Sequence, residues 1–385
     1  MGTGLVTPVP ERAPTVETAP VPLRYHRQMI LPEVGIEGQR KLRAGRVLIV
    51  GAGGLGSPAA LYLAAAGIGR IGLVDFDVVD ETNLQRQILY STADVGQPKL
   101  AAASSRLSGL NPDVEVVCHE ALFGVDNALA LVRAYDVVID GTDNFPARYL
   151  VNDACVMTGT PNVYGSVFRF EGQVSVFATP HGPCYRCLHP EPPPAGLIPN
   201  CAEAGVLGVL PGLIGTVQAT EAIKLITGIG DGLIGRLLLY DALRLRFREI
   251  VLPRDSACPV CGDAPTIRTL VTYRDACEAR TDVDMTVEEL HRWRRDQRSH
   301  VLVDVREPSE AAICRIDGSV LVPLGSLPVR FADLPTDRPI VVHCKAGGRS
   351  ARATAMLRAK GFDAHNLTGG ITAWADRIDP TLTRY

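Results

Sequence analysis

A candidate nucleophile, Cys344, stands at the start of a glycine-containing segment with the sequence Cys-Lys-Ala-Gly-Gly-Arg-Ser. Glycine at Gly347 and Gly348 allows a tight loop whose backbone N–H groups point inward and form a nest for an anion. The N-terminus of a following helix, together with the cations of Lys345 and Arg349, would favour an exposed thiolate. These residue types at this spacing predict a reactive cysteine rather than a core thiol.

The length of this segment separates two classes of cysteine enzyme. A cysteine phosphatase needs a wider loop, with one more residue between Cys and Arg, to surround a phosphate. Four residues separate Cys344 from Arg349. Because the tighter loop suits a single terminal sulfur atom, the sequence favours a cysteine that carries sulfur.

Two further pairs of cysteines have the Cys-x-x-Cys spacing that can place both thiolates on one metal ion. They are Cys184 with Cys187 and Cys258 with Cys261. Two such pairs complete a closed tetrahedral Zn²⁺ site, which leaves no water to be activated. Because the pairs lie far apart in the chain, two unrelated pairs or a redox dithiol stay open as alternatives. The sequence predicts a structural zinc that joins the end of the first domain to its middle.

A glycine-rich turn follows an apolar run and precedes an Ala/Leu-rich helical segment; its glycines are Gly51, Gly53, Gly54 and Gly56. Such glycines let the backbone approach a phosphate, and the helix N-terminus offers unpaired N–H groups. Asp75 ends the next apolar run, where a carboxylate can accept hydrogen bonds from ribose hydroxyls. These features fit NAD, FAD and ATP alike, and a dehydrogenase is the ordinary alternative.

Charged side chains further along the chain favour ATP. Arg86 lies in Asn-Leu-Gln-Arg-Gln, Lys99 follows Gln-Pro, and Asp143 lies in Gly-Thr-Asp-Asn. Two cations and a strand-end carboxylate suit a triphosphate with Mg²⁺, whereas hydride transfer needs no neutralisation of a polyphosphate. Taken singly, Arg86 or Lys99 is consistent with a surface salt bridge and Asp143 with a turn residue. Their combination predicts an ATP·Mg²⁺ site.

Two successive α/β patterns position these residues. In the first, strand, turn, helix and strand follow one another, which indicates a βαβ unit with a parallel sheet. Its predicted elements are a helix over 23–31, a strand over 46–50, a helix ending at 66, a strand over 71–75, a helix over 99–107 and a strand over 135–140. Residues 163–250 are predicted to be less regular. The second pattern has strands over 301–305 and 340–343 and an amphipathic helix over 350–360.

Length and composition bound the class of protein. A chain of 385 residues is too long for one hydrophobic core, and 46% hydrophobic with 21% charged residues is typical of a soluble globular protein. A net charge of -3 gives no field that attracts nucleic acid or an anionic membrane. The apolar stretch 204–226 contains Glu221 and Lys224, so a buried helical segment is expected rather than a membrane span. The cysteine usage indicates a reducing, cytoplasmic compartment.

The same patterns divide the chain into four parts. Residues 1–22 lack the features of a secretion signal and are predicted to be a disordered leader. The first domain covers 23–262, a linker covers 263–284, and the second domain covers 285–385.

The motifs GAGGLG, DFD, NLQRQ, QPK and GTDN, in this order, resemble those of the MoeB/ThiF adenylyltransferases, which are relatives of the ubiquitin-activating enzymes. The resemblance runs from about 23 to 262 and implies a Rossmann-like fold, an ATP site and zinc at the four cysteines named above. The residues that it places around ATP are Gly54, Asp75, Asn83, Arg86, Lys99, Asp143 and Asn144. It also implies a homodimer in which Arg27 serves the site of the partner subunit.

Cys201 follows a proline-rich segment, in Pro-Asn-Cys-Ala-Glu-Ala-Gly. In members of this family a cysteine at this place is proposed to form a covalent link with the C-terminus of a carrier protein. An ordinary loop thiol is the equally weighted alternative.

The second domain, about 285–374, resembles a rhodanese, with Asp-Val-Arg at 304–306 and Gly-Gly-Ile at 369–371. The resemblance implies an α/β domain in which Cys344 carries a persulfide. One departure is that Cys314 to Gly318 stand where rhodaneses often have Gly-His-Ile-Pro-Gly, which leaves the role of Cys314 open.

Together the two resemblances imply an enzyme that adenylates the C-terminal glycine of a small ubiquitin-like sulfur-carrier protein ending in Gly-Gly. The persulfide would then convert the acyl-adenylate into a thiocarboxylate, with a cysteine desulfurase or thiosulfate as the sulfur donor. Pathways of molybdopterin, thiamine, cysteine or thiolated tRNA use such enzymes, and the sequence does not distinguish between them. The alternatives are an NAD-dependent oxidoreductase with an accessory rhodanese-like module, and a non-enzymatic protein that only docks a carrier.

Overall fold

The computed structural model describes residues 21–192, 205–272 and 284–384. These residues form two compact units. The first unit consists of 21–192 and 205–272, and the second consists of 284–384. Cys201, most of the expected leader and part of the expected linker lie outside the described residues.

The first unit contains an eight-stranded sheet with the order β3-β2-β1-β4-β5-β6-β7-β8. The strands are β1 Arg46–Val50, β2 Arg70–Asp75, β3 Glu115–Glu120, β4 Val137–Asp140, β5 Asn162–Phe168, β6 Glu171–Phe177, β7 Arg236–Asp241 and β8 Arg246–Val251. The first five strands in this spatial order, from β3 through β2, β1 and β4 to β5, pair in parallel. Strands β6, β7 and β8 continue the sheet with antiparallel pairs.

The helices of this unit are α1 His26–Met29, α2 Gly35–Ala44, α3 Gly56–Ala66, α4 Lys99–Leu110, α5 Ala128–Arg133, α6 Phe145–Thr158, α7 Tyr185–Leu188 and α8 Val209–Thr227. Short 3-10 helices cover Leu23–Tyr25, Glu81–Asn83 and Thr92–Asp94. The expected βαβ unit is confirmed as β1, α3 and β2. The helix expected over 23–31 is divided between a 3-10 turn and α1.

Strand β1 lies at the centre of the parallel part and is buried on both faces, as its run of apolar residues indicates. Val47 and Ile49 point to one core with residues of α3, whereas Leu48 and Val50 point to another with residues of α5 and α6. The carboxyl ends of β2, β1 and β4 therefore lie side by side at one edge of the sheet.

The expectation of an irregular segment over 163–250 is wrong, because this segment contains β5 to β8 and α8. Strand β8 shows no alternation because all of its residues are exposed, and α8 shows no amphipathic stripe. Helix α8 is long and apolar enough to cross a membrane, with mean hydropathy 1.2, and it is the one such helix among the described residues. It packs against α3 and β5, and its buried Gln218 donates to the carbonyl oxygens of Asp140 and Val163.

The second unit contains a parallel five-stranded sheet with the order β11-β10-β12-β13-β9. Its strands are β9 Asp284–Met285, β10 Val301–Asp304, β11 Ser319–Leu321, β12 Ile340–His343 and β13 Ala364–Leu367. Its helices are α9 Val287–Arg295, α10 Pro308–Ala311, α11 Gly348–Ala359 and α12 Gly370–Arg377, with 3-10 turns at Leu327–Val329 and Phe331–Asp333. Cys344 directly follows the central strand β12, and the loop after it leads into α11.

Candidate active sites

The glycine loop, residues 51–56, connects β1 to α3 and needs glycine at its two ends. Gly51 has a φ of 93°, and a Cβ there would lie 2.9 Å from the carbonyl oxygen of Gly141. A Cβ on Gly56 would lie only 2.0 Å from the carbonyl oxygen of Gly51. The loop therefore turns tightly against the end of β4, and any side chain at these positions would open it.

The middle of the glycine loop is less crowded. A Cβ on Gly53 would have Gln87 Nε2 as its nearest neighbour, at 3.7 Å, and a Cβ on Gly54 would lie 3.2 Å from Pro211 Cβ and 3.5 Å from Arg86 Cγ. Arg86 is partly exposed, and its Nη1 donates to the carbonyl oxygen of Thr82. The structure thus brings the predicted cation Arg86 to the glycine loop. Asn83, also predicted to line the site, accepts a hydrogen bond from Gln87 Nε2.

Asp75, at the end of β2, holds the glycine loop in place. Its Oδ2 accepts a hydrogen bond from the N–H of Ala52 at 2.8 Å, and its Oδ1 accepts one from the N–H of Asp77 at 2.9 Å. These contacts fix the spacing between the ends of β1 and β2. The expected contact of Asp75 with a ribose stays a prediction.

Lys99 begins α4, and its side chain is buried although it pairs with a carboxylate that is 53% exposed. Its Nζ lies 2.9 Å from Oδ2 of Asp77, and its N–H donates to the carbonyl oxygen of Asp77. The ion pair fixes an otherwise flexible cation at the edge of the sheet where the strands end.

The turn after β4 carries the predicted metal ligand Asp143, which is exposed. Oδ1 of the buried Asp140 accepts hydrogen bonds from the N–H and hydroxyl of Thr142, at 3.0 and 2.6 Å. Burial raises the pKa of Asp140, although Arg148 and Thr142 oppose the rise. The side chain of Asn144 caps α6 by accepting from the N–H of Ala147 at 2.9 Å.

These groups fit ATP with a divalent cation. Gly53 and Gly54 place no side chain of their own in the middle of the glycine loop, Arg86 and Lys99 supply positive charge, and carboxylate oxygens are the ligands that Mg²⁺ prefers. Oδ2 of Asp140 is buried and has no hydrogen-bond partner among the described residues, so a second carboxylate oxygen is available beside this turn. A nucleotide phosphate and Mg²⁺ would satisfy this set of donors and acceptors together.

Arg27 lies on the exposed side of α1. The other side of this segment is anchored: Asn111 donates to the hydroxyl of the buried Tyr25 at 2.8 Å, and Gln28 Nε2 donates to Gln39 Oε1 at 2.8 Å. The segment is therefore anchored to the first unit, and Arg27 is an exposed residue on it.

The four cysteines of the two Cys-x-x-Cys pairs come together in one cluster. Their sulfur atoms all lie within 4.8 Å of one another, with Cys184 and Cys258 3.5 Å apart and Cys187 and Cys261 3.4 Å apart. A tetrahedral zinc with Zn–S bonds of about 2.3 Å has sulfur–sulfur edges of roughly 3.8 Å. The cluster therefore fits a closed Zn²⁺ site, and the alternative of two unrelated pairs is wrong.

The residues between Cys184 and Cys187 anchor the first pair to α6. Arg186 forms a buried bidentate pair with Asp153, at 2.9 Å for both contacts, and the N–H of Tyr185 donates to Asn152 Oδ1 at 2.7 Å. Because both anchors lie on one helix, the first cysteine pair has a fixed position before a metal binds.

Cys344 lies in the core of the second unit, in contrast to the exposed thiolate expected from the sequence. It is buried because it ends the central strand, which places its side chain beneath the following loop. Its sulfur accepts hydrogen bonds from the N–H of Gly347 at 3.1 Å and from the hydroxyl of Ser350 at 3.4 Å. Gly347, with a φ of 106°, supplies the left-handed turn that aims this N–H inward. Of the inward-pointing N–H groups expected from the glycines, that of Gly347 bonds to the buried sulfur atom.

Arg349, whose charge was expected to favour the thiolate of Cys344, forms an ion pair with a carboxylate. Its guanidinium forms two contacts with Glu310, at 2.6 and 2.7 Å. Burial would raise the pKa of Glu310, but the hydrogen bonds and charge of Arg349 outweigh it and hold this pKa below its ordinary value. The positive charge of Arg349 is therefore largely neutralised by Glu310.

Several residues of the two sites were not found from the sequence: Asp77, Asp140, Glu310, Ser350 and Asn366, whose Oδ1 lies 2.7 Å from the Ser350 hydroxyl. The second aspartate of Asp-Phe-Asp and the serine directly after Cys-Lys-Ala-Gly-Gly-Arg were signals within known motifs. Glu310 carried no signal, because it lies 39 residues from Arg349.

Comparison with known proteins reveals similarity along nearly the whole chain. Residues 25–260 match the ThiF family, and residues 286–377 match the rhodanese-like domain. The "Probable adenylyltransferase/sulfurtransferase MoeZ" of Mycobacterium tuberculosis is 48% identical over 377 residues, which cover 94% of this chain and 95% of the relative. The "Adenylyltransferase and sulfurtransferase MOCS3" of Mus musculus is 42% identical over 400 residues, which cover 94% of this chain and 87% of the relative.

Two further comparisons concern the first unit. The "Sulfur carrier protein adenylyltransferase" of Thermus thermophilus is 55% identical over 262 residues, which cover 67% of this chain and 97% of the relative. The crystal structure of E. coli MccB with ATP superposes with a TM-score of 0.54 at 22% identity, and the match covers 62% of this chain and 73% of that one. At this identity the likeness concerns the fold alone.

Proposed function

Because the chain belongs to the ThiF family and continues into a rhodanese-like domain, we propose that it is a sulfur-carrier-protein adenylyltransferase and sulfurtransferase. The observation that carries the proposal is the presence of two chemically complementary sites in one chain. The first unit holds a glycine loop beside Arg86, Lys99 and Asp143, and the second holds a cysteine sulfur bonded by the N–H of Gly347.

The first unit would form the electrophile. The nucleophile is the C-terminal carboxylate of a small ubiquitin-like protein ending in Gly-Gly, which is ionised at neutral pH and needs no general base. The carboxylate attacks the α-phosphorus of ATP, the bond to the β-phosphate bridge breaks, and pyrophosphate leaves. The residues must bring two anions together and stabilise the charge that develops on the leaving group. Arg86 and Lys99 suit this task, and Asp143 with its neighbour Asp140 would hold Mg²⁺, which neutralises phosphate charge when bound.

The second unit would supply the nucleophile. The Cys344 thiolate attacks the sulfane sulfur of a donor such as thiosulfate or the persulfide of a cysteine desulfurase, and the donor leaves with the electron pair of the broken S–S bond. The terminal sulfur then attacks the carbonyl carbon of the acyl-adenylate, and AMP leaves. A second thiolate, for which Cys201 is a candidate within the chain, then attacks Cys344 Sγ, and the thiocarboxylate leaves with the electron pair of the broken S–S bond. The disulfide formed between the second thiol and Cys344 is reduced by an external thiol.

The remaining features are assigned supporting roles. The four-cysteine cluster would hold a structural zinc. Arg27, which is exposed on an anchored segment, would reach the ATP site of a partner subunit in a homodimer. The sulfur–sulfur distances support the zinc assignment, and the exposure of Arg27 leaves it accessible to a partner.

Two single substitutions test the proposal by separating its two steps. In Asp143→Ala, carrier-dependent exchange of pyrophosphate into ATP should fall by roughly 10²–10³, while sulfur transfer from thiosulfate to cyanide should continue. In Cys344→Ala, the exchange should continue, while the persulfide and the carrier thiocarboxylate should disappear. Mass spectrometry of the carrier provides the readout, since replacement of oxygen by sulfur changes its mass.

Matched controls are available on each unit. Asp126→Ala removes another exposed aspartate of the first unit, and Cys314→Ser removes another thiol of the second; both should leave each reaction at the wild-type level. If Cys344→Ala produced thiocarboxylate at the wild-type rate with thiosulfate as the donor, Cys344 would not be the sulfur carrier. Hydride transfer to NAD⁺ without any adenylation would instead support the oxidoreductase alternative.

A further inference from the structure

The hydroxyl of Ser350 lies within hydrogen-bonding distance of three acceptors around Cys344. Its Oγ lies 3.4 Å from Cys344 Sγ, 3.0 Å from the carbonyl oxygen of Gly347 and 2.7 Å from Asn366 Oδ1. Ser350 is completely buried. A serine hydroxyl has only one hydrogen to donate. The three acceptors therefore compete for it.

The amide of Asn366 is held in one orientation. Its Nδ2 lies 2.9 Å from Oδ1 of Asp284. An ionised carboxylate only accepts hydrogen bonds, so the amide nitrogen must face Asp284 and the amide oxygen must face Ser350. Asn366 is thus an obligatory acceptor toward Ser350 and cannot donate to it.

The need of Cys344 for this hydrogen depends on its chemical state. A buried thiolate has lost its hydration, so the hydrogen bonds that it receives determine how readily it forms. The N–H of Gly347 donates one such hydrogen bond to Cys344 Sγ, at 3.1 Å. Once Cys344 carries a sulfane sulfur, the negative charge resides on the terminal sulfur and Sγ becomes a weak, neutral acceptor. Because hydrogen bonds to charged acceptors are the stronger ones, the hydroxyl hydrogen should leave Sγ when the persulfide forms.

We propose that Ser350 is a catalytic residue of sulfur transfer, which donates its hydrogen to the Cys344 thiolate and turns it to Asn366 Oδ1 in the persulfide. Asn366 and Asp284 are positioning residues, since they act through Ser350. Asn366 competes with the thiolate for the hydrogen and so favours the loaded form. The assignment rests on the proposed role of Cys344 as the sulfur carrier.

The bond changes balance without any additional proton. In loading, the thiolate electron pair forms the new S–S bond while sulfite leaves thiosulfate with the electron pair of the old one. In discharge to cyanide, the carbon electron pair bonds the terminal sulfur, thiocyanate leaves, and the S–S pair returns to Cys344 Sγ. The Ser350 hydrogen only changes its acceptor in each direction.

Substitution of Ser350 or Asn366 leaves the other charged groups near the loop in place. Lys345 and Arg349 lie on the loop, Glu310 pairs with Arg349 from α10, and Asp304 and Arg306 pair with each other beside the buried His343 of β12. Substitution of Ser350 or Asn366 alters none of these charges. A change in the ionisation of Cys344 would therefore reflect a change in the hydrogen bond that Cys344 receives from the Ser350 hydroxyl.

The test is the pH dependence of Cys344 alkylation by iodoacetamide in the full chain, followed by peptide mass spectrometry that distinguishes Cys344 from the other cysteines. Ser350→Ala should raise the midpoint of the profile by about one pH unit, because a hydrogen bond to a charged group is lost. Asn366→Ala should lower the midpoint, because a competitor for the hydrogen is removed. The double variant should match Ser350→Ala, since Asn366 acts only through Ser350.

Thr354→Val is the matched control. Thr354 is also buried on α11, and its hydroxyl has no hydrogen-bond partner among the described residues. Its loss should leave the midpoint unchanged. If Asn366→Ala does not fold, Asn366→Leu serves in its place, because it keeps most of the side-chain volume, removes the acceptor and leaves every nearby charge unchanged; it should also lower the midpoint.

The midpoint should shift upward in Ser350→Ala and downward in Asn366→Ala, and a merely structural role would not produce opposite shifts. An unchanged midpoint in Ser350→Ala, or an increase of equal size in both single variants, would overturn the assignment. Alkylation requires neither ATP nor a carrier protein, so its outcome is independent of whether the chain adenylates a carrier.

Discussion

Arg349 and Glu310 form a bidentate ion pair whose side chains are only 11% and 15% exposed. The pair joins the loop after Cys344 to α10. Arg306, itself paired with Asp304 in the core, donates to the carbonyl oxygen of Glu310 and so supports the helix that carries it. The arginine of the cysteine motif therefore secures the shape of the loop, while Gly347 and Ser350 are the groups that bond to the sulfur.

Glu310→Gln should destabilise the second unit at neutral pH. One partner of a buried charge pair is lost, which costs about 1–3 kcal/mol after allowance for partial exposure. Since the folded-state pKa of Glu310 is lowered, its contribution is present above the unfolded pKa of about 4.3 and is lost as pH falls below it. The difference between the variant and wild type should therefore shrink at pH 3.5.

Urea unfolding followed by tryptophan fluorescence measures this effect on the second unit alone, because both tryptophans, Trp293 and Trp374, belong to it. Glu307→Gln, an exposed neighbour on the same turn, is the control and should have little effect. Equal stability of Glu310→Gln and wild type at pH 7 would contradict the structural role of the pair.

His343 should make the second unit sensitive to mild acid. Burial lowers its pKa to about 4, despite the opposing charge of Asp304. The unfolded chain therefore binds more protons than the folded one between about pH 4 and 6.5, and stability falls as pH decreases through this range. At pH 5 the loss relative to pH 7 is roughly 2 kcal/mol.

His343→Gln should remove most of that pH dependence, whatever it does to stability at pH 7. The same fluorescence assay at pH 5 and 7 provides the measurement, and His300→Gln, which changes a partly exposed histidine, should retain the dependence. A pH dependence that stayed intact in His343→Gln would assign it to other groups.

The sequence was most informative where a motif lies within one turn or one strand. The βαβ unit, the glycine loop and strand Ile340–His343 were predicted correctly, because apolar runs and glycines act over a few residues. The family and both fold classes inferred from the motifs are confirmed by the matches over 25–260 and 286–377.

The features of the fold and of the sites that the sequence did not predict depend on contacts between residues distant in the chain. Glu310 carries no local mark of its pairing with Arg349, and Asn366 reaches Ser350 only because β13 lies beside β12 in the sheet. Strand β8 is exposed along its whole length and so lacks the alternation by which strands are recognised. Burial of Cys344 likewise follows from its place at the end of a central strand rather than from its neighbours in sequence.

The cysteine cluster should contain about one zinc per chain. Cys187→Ser should lose most of this metal and lower the stability of the first unit by more than about 2 kcal/mol, since structural zinc sites supply roughly 10 kcal/mol. Metal analysis and calorimetry provide the measurements. Cys118→Ser, which changes a cysteine outside the cluster, should retain the zinc. Fully folded wild-type protein without zinc would show that the cluster is not a metal site.

Arg27 should act across a dimer interface, which a mixture of two inactive variants can reveal. In a heterodimer of Arg27→Ala and Asp143→Ala, one site combines the intact Asp143 of the first chain with the intact Arg27 of the second. Random exchange of subunits should then restore about a quarter of the wild-type pyrophosphate exchange per site. A mixture of Arg27→Ala with the double variant is the control, because it contains no complete site in either arrangement. If mass spectrometry of intact complexes showed heterodimers without restored exchange, Arg27 would act within its own subunit or not at all.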